Sequence, residues 1–334
     1  MMSIMTRTRI GLQIPSFTYP DVLPAQLFER VAAQAVTAEQ SGFDTVFVMD
    51  HFYQLPMIGT PDQEMFESYT LLSALAARTQ QVRLGTLVTG VTYRHPAHLA
   101  KVVTALDVIS AGRALLGIGA AWFELEHQSL GFEFPPLKVR YELLRDALEI
   151  CRGMFTQRST TYEGVHHRVQ NAFNMPAPIN GSIPIMIGGQ GERRTFRLAA
   201  EYADELNTTA SFADLPRKLD ALAGHLADVG RDRSDITVTP LTTLVVAPTH
   251  DEARAQLDTQ LRARGTDLET VHADPELSAM VLGRMVWGDP DEVVARVQEV
   301  MAVGLDGIVV NLLGTPGDTD TVALAGETLT KALS

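Results

Sequence analysis

The chain is short of cysteine and of positive charge. One cysteine, Cys151, stands among 334 residues, so no disulfide can form within the chain and we expect a reducing compartment, the cytoplasm. Lys and Arg total 27 against 40 Asp and Glu, which gives a formal net charge of −13. A surface of that sign repels phosphate backbones and acidic lipid, so we expect neither nucleic acid nor membrane as a partner.

A targeting signal and a long apolar run are also missing from the sequence. Residues 1–8 (MMSIMTRT) contain Arg7, but no apolar stretch and no small-residue cleavage site follow. The longest stretch without charge, 171–191, contains three prolines and four glycines, which a membrane helix does not tolerate. We therefore expect a soluble protein.

The residues that are present favour a globular fold with a large core, since 46% are hydrophobic and 20% charged. Short β-branched runs alternate with helical periodicity along the whole chain. The runs predict strands at 9–14, 45–49, 83–88, 114–118, 183–187, 205–207, 237–246 and 307–311. The helical patterns lie at 24–41, 67–79, 96–110, 137–156, 192–202, 214–229, 251–264, 290–303 and 318–332.

This alternation predicts an α/β fold, a (β/α)₈ TIM barrel in which residues 1–334 form one domain, because a Rossmann-type sheet usually stops at five or six strands. Two intervals are longer than simple loops. The interval 119–182, after strand four, holds a long helix and an alternating stretch typical of a β-hairpin. The interval 247–306, after strand seven, holds a further helical segment. Insertions after barrel strands lie on the catalytic face.

A glycine-rich segment, Gly188-Gly189-Gln190-Gly191, directly follows the fifth predicted strand and precedes a helical pattern. Exposed amides at the start of a helix bind phosphate well, and Arg194 and its neighbours could add positive charge. The alternative is a tight turn beside solvated arginines. The order of strand, glycines and helix favours the phosphate site.

A second glycine pattern, Gly117-Ile-Gly119-Ala-Ala-Trp122, approaches the dinucleotide-binding fingerprint. Trp122 replaces its third glycine, and the bulk of this side chain prevents the close packing of helix on strand that the fingerprint needs. We reject a Rossmann site here. Small residues at this strand end would instead let a flat ring approach the barrel.

Polar residues end the second and third predicted strands. Asp50 and His51 follow strand two, where a barrel places catalytic groups, and a carboxylate beside a histidine can fix its tautomer. The alternative is a capping Asp50 and a half-buried His51. Gly85 and Thr89 lie in the third strand segment, where a glycine can mark a bulge or the close approach of a ligand.

Other catalytic patterns are missing. The sequence has no HExxH, CxxC, EF-hand, GxSxG or GxxxxGK[ST] motif. His166 and His167 are adjacent on an alternating stretch and would point to opposite faces, so we expect no metal. Cys151 lies within a helical pattern and is interpreted as a packing residue.

The order of several segments resembles the bacterial luciferase-like family of flavin-dependent oxidoreductases, most closely its F420-dependent branch. These segments cover nearly the whole chain: FVMDHF, LGTLVT followed by YRHP, GRALLGIG, FPPLKVRYELLRDALEI, YEGVHHRVQNAFNMPAP and IPIMIGGQGERRTFRLAAEYADELN. The resemblance implies a TIM barrel with insertions after strands four and seven. It also implies a deazaflavin or flavin ring at the strand ends and, commonly, a homodimer.

The resemblance further implies roles for individual residues. Asp50 and His51 would face the reactive ring and the substrate and would form the catalytic pair. The cofactor would contact Asp50, a bulge or cis peptide in strand three, the end of strand four, and the glycine segment. The residues are Gly85, Thr86, Leu87, Thr89, Gly119, Trp122, Gly188, Gly189, Gln190, Gly191 and Arg194. Trp122 stands where sugar-phosphate dehydrogenases of this family have a catalytic glutamate, which disfavours glucose 6-phosphate as substrate.

We therefore expect an F420-dependent oxidoreductase that moves a hydride between the cofactor and a small organic substrate, with His51 handling the proton. The alternative within the family is an FMN-dependent monooxygenase that uses reduced flavin and oxygen. Outside these activities, a flavin-binding protein without turnover would use the same residues. A barrel lyase or isomerase would need a lysine or carboxylate base at a strand end, and none of the predicted strands ends in lysine.

Overall fold

The computed structural model describes residues 8–20 and 22–334, so the segment in which we expect no targeting signal lies outside the described residues except for Thr8. The described strands are β1 (Arg9–Ile14), β2 (Thr45–Val48), β3 (Arg83–Thr86), β4 (Thr89–Gly90), β5 (Ala114–Gly119), β6 (Thr160–Glu163), β7 (Arg168–Ala172), β8 (Ile185–Gly188), β9 (Glu205–Thr208), β10 (Thr237–Val246), β11 (Met285–Gly288) and β12 (Gly307–Asn311).

The described helices are α1 (Leu27–Ser41), α2 (Ser68–Ala76), α3 (Pro96–Ile109), α4 (Glu124–Leu130), α5 (Leu137–Thr156), α6 (Thr195–Tyr202), α7 (Leu215–Asp228), α8 (His250–Arg262), α9 (Leu268–Ala273), α10 (Pro275–Val281), α11 (Pro290–Met301) and α12 (Thr319–Leu333). Asp289 caps α11, accepting hydrogen bonds from the amides of Asp291 and Glu292.

Eight strands close into a parallel barrel in the order β1, β2, β3, β5, β8, β9, β10, β12, and β12 pairs back with β1. The predicted TIM barrel is confirmed. Two short strands extend it: β4 pairs with β5, and β11 pairs with the end of β10. Consequently β10 is bonded in succession to β9, β12 and β11.

The barrel strands are apolar on both faces because both faces are covered. Along β2, Val46 and Val48 join the layer between barrel and helices. Phe47 points the other way and packs with Leu115 and Met186 inside the barrel. Every residue of β2 and β5 is buried, which is why short runs without polar alternation identified these strands.

Two predicted elements differ in the structure. The strand predicted over 83–88 stops at Thr86 and resumes as β4 at Thr89, with a cis peptide between Leu87 and Val88. The helix predicted from residue 192 begins at Thr195, because the chain first makes a turn in which the Phe196 amide bonds the carbonyl of Gly191 at 3.2 Å. The short elements α4, α9 and β11 were not predicted, since six or seven residues of helix or four of strand carry little periodicity.

The two long intervals are well packed. The predicted hairpin is confirmed as β6 and β7, which pair antiparallel and are held by Asp146 of α5 through the amides of the turn. In the second interval, Leu257, Leu261 and Val271 form a small core against Val245 of β10. Among residues 8–20 and 22–334, none of the helices has the length and apolar character that crossing a membrane requires.

Candidate active site

The strand ends surround a cavity of about 750 Å³ at the carboxyl-terminal face of the barrel. Its lining includes the last residues of several strands, Gly119, Gly188 and Asn311 among them. This volume is in the range that small-molecule and cofactor sites occupy.

Ten of the predicted site residues line this cavity and three do not. Those that do are Asp50, His51, Leu87, Thr89, Gly119, Trp122, Gly188, Gly189, Gln190 and Gly191. Gly85 and Thr86 lie below it in β3, where Thr86 bonds the carbonyl of Gly117 at 2.9 Å. Arg194 is exposed outside the lining, with its guanidinium 5.5 Å from the ring centre of Tyr141, which does line the cavity.

His51 contributes an imidazole to the cavity wall, and its side chain is 13% exposed. Its Nδ1 lies 2.6 Å from Oε1 of Glu126, a fully buried residue of α4. The same carboxylate accepts hydrogen bonds from the amides of Phe52 (2.8 Å) and Tyr53 (3.2 Å) and from the hydroxyl of Tyr93. Because a carboxylate accepts at Nδ1, that nitrogen carries the proton and Nε2 is left for a ligand.

The hydrogen bonds decide the charge of this buried carboxylate. Burial raises the pKa of Glu126, but the hydrogen bonds from His51, Tyr93 and the Phe52 amide lower it more, so the pKa lies below its ordinary value. Burial, together with the neighbouring carboxylate, raises the pKa of the Tyr93 hydroxyl. At neutral pH, Glu126 is therefore ionised and Tyr93 keeps its proton.

Asp50 has a different partner from the one its sequence position suggested. Both of its oxygens accept from the guanidinium of Arg94, at 2.7 and 2.9 Å, and it accepts also from Ser68 (2.6 Å) and the amide of Gly90 (3.3 Å). Asp50 is 2% exposed. It thus holds the segment after β3 in place, while the carboxylate that fixes the tautomer of His51 is Glu126.

Glycines surround the bulge that separates β3 from β4. A Cβ atom on Gly119 would lie 2.9 Å from Cγ2 of Val88, and one on Gly188 would lie 2.6 Å from its Cγ1. Such distances are below any real Cβ contact, so both positions require glycine while Val88 stays where it is. The two glycines therefore let the bulge reach the centre of the barrel mouth.

The glycine loop, residues 188–191, connects β8 to α6. Gly189 has a φ of +143°, which other residues rarely adopt, and its amide bonds the carbonyl of Asn207 at 3.0 Å. Among the described residues, the amides of Gln190 and Gly191 have no bonded acceptor. Lys218, which the sequence did not single out, donates to the carbonyl of Gln190 at 2.8 Å. Lys218 also pairs with Glu192 at 2.9 Å, so the free amides are the groups with which this loop could bind an anion.

Side-chain amides form part of the cavity floor. Gln13 donates from Nε2 to the carbonyl of Leu87 at 3.4 Å and accepts from Nδ2 of Asn311 at 3.2 Å. Oδ1 of Asn311 is buried and has no hydrogen-bond partner among the described residues. The floor is thus polar but uncharged.

No metal site is built into the described part of the chain, which contains no cluster of three or more potential ligands of suitable geometry. The adjacent histidines of the hairpin turn diverge. His166 pairs with Glu142 at 2.9 Å, and His167 stacks on His95 with 5.0 Å between ring centres.

Sequence reasoning missed Glu126, Tyr93 as its partner, and the Gln13–Asn311 pair. One signal was available for Glu126: it follows β5 by only seven residues, and barrel segments after a strand face the cavity. The sequence could not show which nearby carboxylate reaches His51, since Asp50 is its neighbour in the chain and Glu126 is 75 residues away.

Comparison with known proteins adds independent information. A sequence model described as luciferase-like monooxygenase matches residues 8–307. An F420-dependent glucose-6-phosphate dehydrogenase of Microbacterium testaceum is 30% identical over 289 residues, which cover 82% of this chain and 84% of the relative.

Solved structures agree on the fold. The coenzyme F420 dependent tetrahydromethanopterin reductase of Methanopyrus kandleri superposes with a TM-score of 0.78 at 20% identity, covering 98% of this chain and 100% of that one. The monooxygenase RslO1 of Streptomyces bottropensis gives 0.79 at 21% identity, covering 98% and 100%. The same barrel therefore occurs in proteins named as reductases and as monooxygenases.

Proposed function

Since the chain is an oxidoreductase of the luciferase-like monooxygenase family, we propose that it transfers a hydride between coenzyme F420 and a small organic substrate. The observation that carries this proposal is one cavity with two differently equipped parts. The glycine loop with its free amides follows β8, and His51, held by the buried Glu126, follows β2, three strands away around the barrel. An anionic cofactor tail and a proton-transfer group need this combination.

The residues present fit a tricyclic ring with a phosphate-bearing tail. The loop amides of Gln190 and Gly191, near Lys218, would hold the phosphate. The bulge at Leu87 and Val88 would support the ring, in a space that Cβ atoms at Gly119 and Gly188 would disturb. When bound, the deazaflavin supplies the hydride chemistry. The chain supplies position, exclusion of water and a proton carrier.

The proton carrier is His51. With Nδ1 donating to Glu126, Nε2 is free to accept a proton from a substrate hydroxyl. Nε2 would thus take the hydroxyl proton of a secondary alcohol as the alcohol is oxidised to a ketone, and the bound deazaflavin would serve as the hydride acceptor. In the reverse direction, Nε2 returns the proton to the new alkoxide oxygen. The ionised Glu126 stabilises the imidazolium in both directions.

A direct test is a side-by-side titration of the purified protein with F420 and with FMN. We expect F420 to bind more tightly than FMN. Tighter FMN binding, with oxygen consumption once the flavin is reduced, would instead identify an FMN-dependent monooxygenase. Binding of either cofactor without turnover of any alcohol, ketone or activated alkene would identify a flavin-binding protein without enzymatic activity.

The glycine loop can be tested with one matched pair of variants. Gln190→Glu adds a negative charge beside the proposed phosphate site without changing side-chain size, and we expect F420 affinity to fall by about tenfold at low salt and by less at high salt. Gln157→Glu makes the same change at an exposed residue that does not line the cavity and should have no effect. Equal affinities of the two variants would place the phosphate elsewhere.

A further inference from the structure

Three large apolar side chains are exposed at the mouth of the cavity. Met57, Trp122 and Leu137 line it and are 55%, 53% and 50% exposed. They come from different parts of the chain: the loop after β2, the loop after β5, and the start of α5. Exposed apolar groups that converge on one opening from separate elements are typical of a binding surface.

The apolar surface continues inward to His51. Met49, Leu55 and Ile58 line the cavity below this mouth and pack in one cluster with Phe123. The imidazole of His51 meets the ring of Trp122 edge-on, with 5.8 Å between ring centres. The proposed proton carrier thus lies against the same apolar wall.

The cations beside His51 and Trp122 are bonded to other groups of the protein. Glu126 and Asp50 are the nearest carboxylates, and the one guanidinium beside them, Arg94, is bound to Asp50 and Glu67. Among the described residues that line the cavity, Arg284 is the one arginine or lysine. It precedes β11, which pairs with the end of β10, whereas His51 follows β2, and two strands, β12 and β1, separate β10 from β2. Arg140 donates to the carbonyls of Ala120 and Ala121, which line the cavity beside Trp122. A phosphate or carboxylate on the substrate would therefore have to displace a partner that Arg94 or Arg140 already has within the protein.

We infer that the substrate is an uncharged alcohol or ketone with an apolar chain, whose oxygen meets His51 and whose chain lies on Met57, Trp122 and Leu137. This inference rests on the proposed function for the identity of the reacting group. It assigns Trp122 to the substrate side of the cavity and excludes sugar phosphates as substrates.

Binding of a homologous series of ketones tests this inference. The probes are 2-pentanone, 2-heptanone and 2-nonanone, with glucose 6-phosphate as the charged comparison. Binding is followed by the fluorescence of Trp122 in a Trp287→Phe background, since the sequence has two tryptophans. We expect the affinity to rise about fourfold per added methylene, the effect of burying one CH₂, and glucose 6-phosphate not to compete.

Two leucine variants provide the matched comparison. Leu137→Ser should weaken 2-nonanone binding by about tenfold and reduce the dependence on chain length. Leu125→Ser changes a leucine that is 42% exposed but lies outside the cavity lining, and it should behave as the parent protein. Met57→Ser is a second test of the wall and should resemble Leu137→Ser.

An affinity that does not depend on chain length, or glucose 6-phosphate binding more tightly than 2-heptanone, would overturn the inference. F420 binding is measured separately by the absorbance of the cofactor. If F420 binds and the ketones show no chain-length dependence, the apolar substrate class is wrong and the proposed function stands. If F420 does not bind, the proposed function fails, and the ketone series still decides the nature of the wall.

Discussion

At the scale of single residues, two buried carboxylates beside the cavity have different hydrogen-bond partners. Glu126 holds the imidazole of His51, whereas Asp50 holds Arg94 and the amide of Gly90. Asp50 is the neighbour of His51 in the chain and Glu126 is its neighbour in the fold, so the two carboxylates would be expected to share one function. Their hydrogen bonds separate them, and the two can be altered independently.

Replacing His51 by Ala should lower turnover by about 10²- to 10⁴-fold, the usual contribution of a positioned acid–base group. Cofactor affinity should change little, because the glycine loop follows β8, three strands around the barrel from β2. Turnover, F420 affinity and thermal stability are measured on one preparation. A loss of stability with normal turnover per folded molecule would make His51 a packing residue.

Replacing Glu126 by Gln should produce a stability defect that depends on pH. Since the pKa of Glu126 is lowered in the folded protein, its ionised form stabilises the fold above the ordinary pKa of 4.5. That stabilisation is lost as the pH falls below 4.5 through the lower pKa of the folded state. We expect a deficit of about 1–3 kcal/mol at pH 7, shrinking towards pH 3.

Urea unfolding of both proteins between pH 3 and pH 7 measures this deficit. Glu124→Gln is the matched control, since Glu124 lies on the same helix but is exposed and should show no such trend. A deficit that stays constant with pH would mean that Glu126 acts by packing alone.

Many residues of the candidate site could be predicted from the sequence. The others could not, and the reason is physical. Asp50, His51 and the glycines of 188–191 were predicted at strand ends, and they line the cavity, because strand ends and backbone amides are local features. Their roles stay predictions. The partner of His51 depends on which side chain the fold brings within 2.6 Å, and sequence adjacency suggested Asp50 instead. Arg194 was expected at the cofactor, but it lies over Tyr141 outside the cavity lining.

At the scale of elements, the interruption between β3 and β4 shapes the cavity. Val88 occupies space that Cβ atoms on Gly119 and Gly188 would otherwise take. The sequence predicts strand three as one uninterrupted strand of six residues, 83–88. Hydrophobic pattern does not record where a ladder breaks, so the break was not predicted from periodicity, although the resemblance implied a bulge near Thr86 and Leu87.

The contact between Gly188 and Val88 can be tested by a double-mutant cycle. Gly188→Ala alone should destabilise the fold by about 1–3 kcal/mol through overcrowding and weaken cofactor binding. Val88→Ala removes the two methyl groups that the new Cβ would meet at 2.6 and 2.9 Å. The double variant should therefore recover most of the stability. Additive losses would show that another contact is responsible.

At the scale of the molecule, the barrel could be predicted from the sequence because a layer of strands inside a layer of helices allows few other strand patterns. Strands covered on both faces are apolar throughout, and β2, β5 and β12 each appear as a short uninterrupted run. The short elements α4, α9 and β11 were not predicted, because tertiary packing rather than local periodicity stabilises them. Met285 of β11, for example, packs into the small core of the second long interval, 247–306.

The last helix, α12, packs against both α1 and α11 in the outer layer. Leu329 of α12 is fully buried, so Leu329→Ala should cost about 2–5 kcal/mol of unfolding free energy. Because the helix lies outside the cavity lining, F420 affinity per folded molecule should not change. Glu327→Ala, an exposed change two residues away, should alter stability by less than about 0.5 kcal/mol. Equal effects of the two changes would contradict this account.

The length of β10 has a consequence for solvent exchange. Its amides and carbonyls are shared in turn with β9 over Thr237–Pro240, with β12 over Leu241–Thr243 and with β11 over Thr243–Val246. Opening this strand locally would require three neighbours to part from it, whereas the barrel strands other than β5 and β10 have two. In heavy water, the protons on the β10 amides should therefore be among the last in the chain to be replaced by deuterium, at the rate at which the barrel as a whole unfolds.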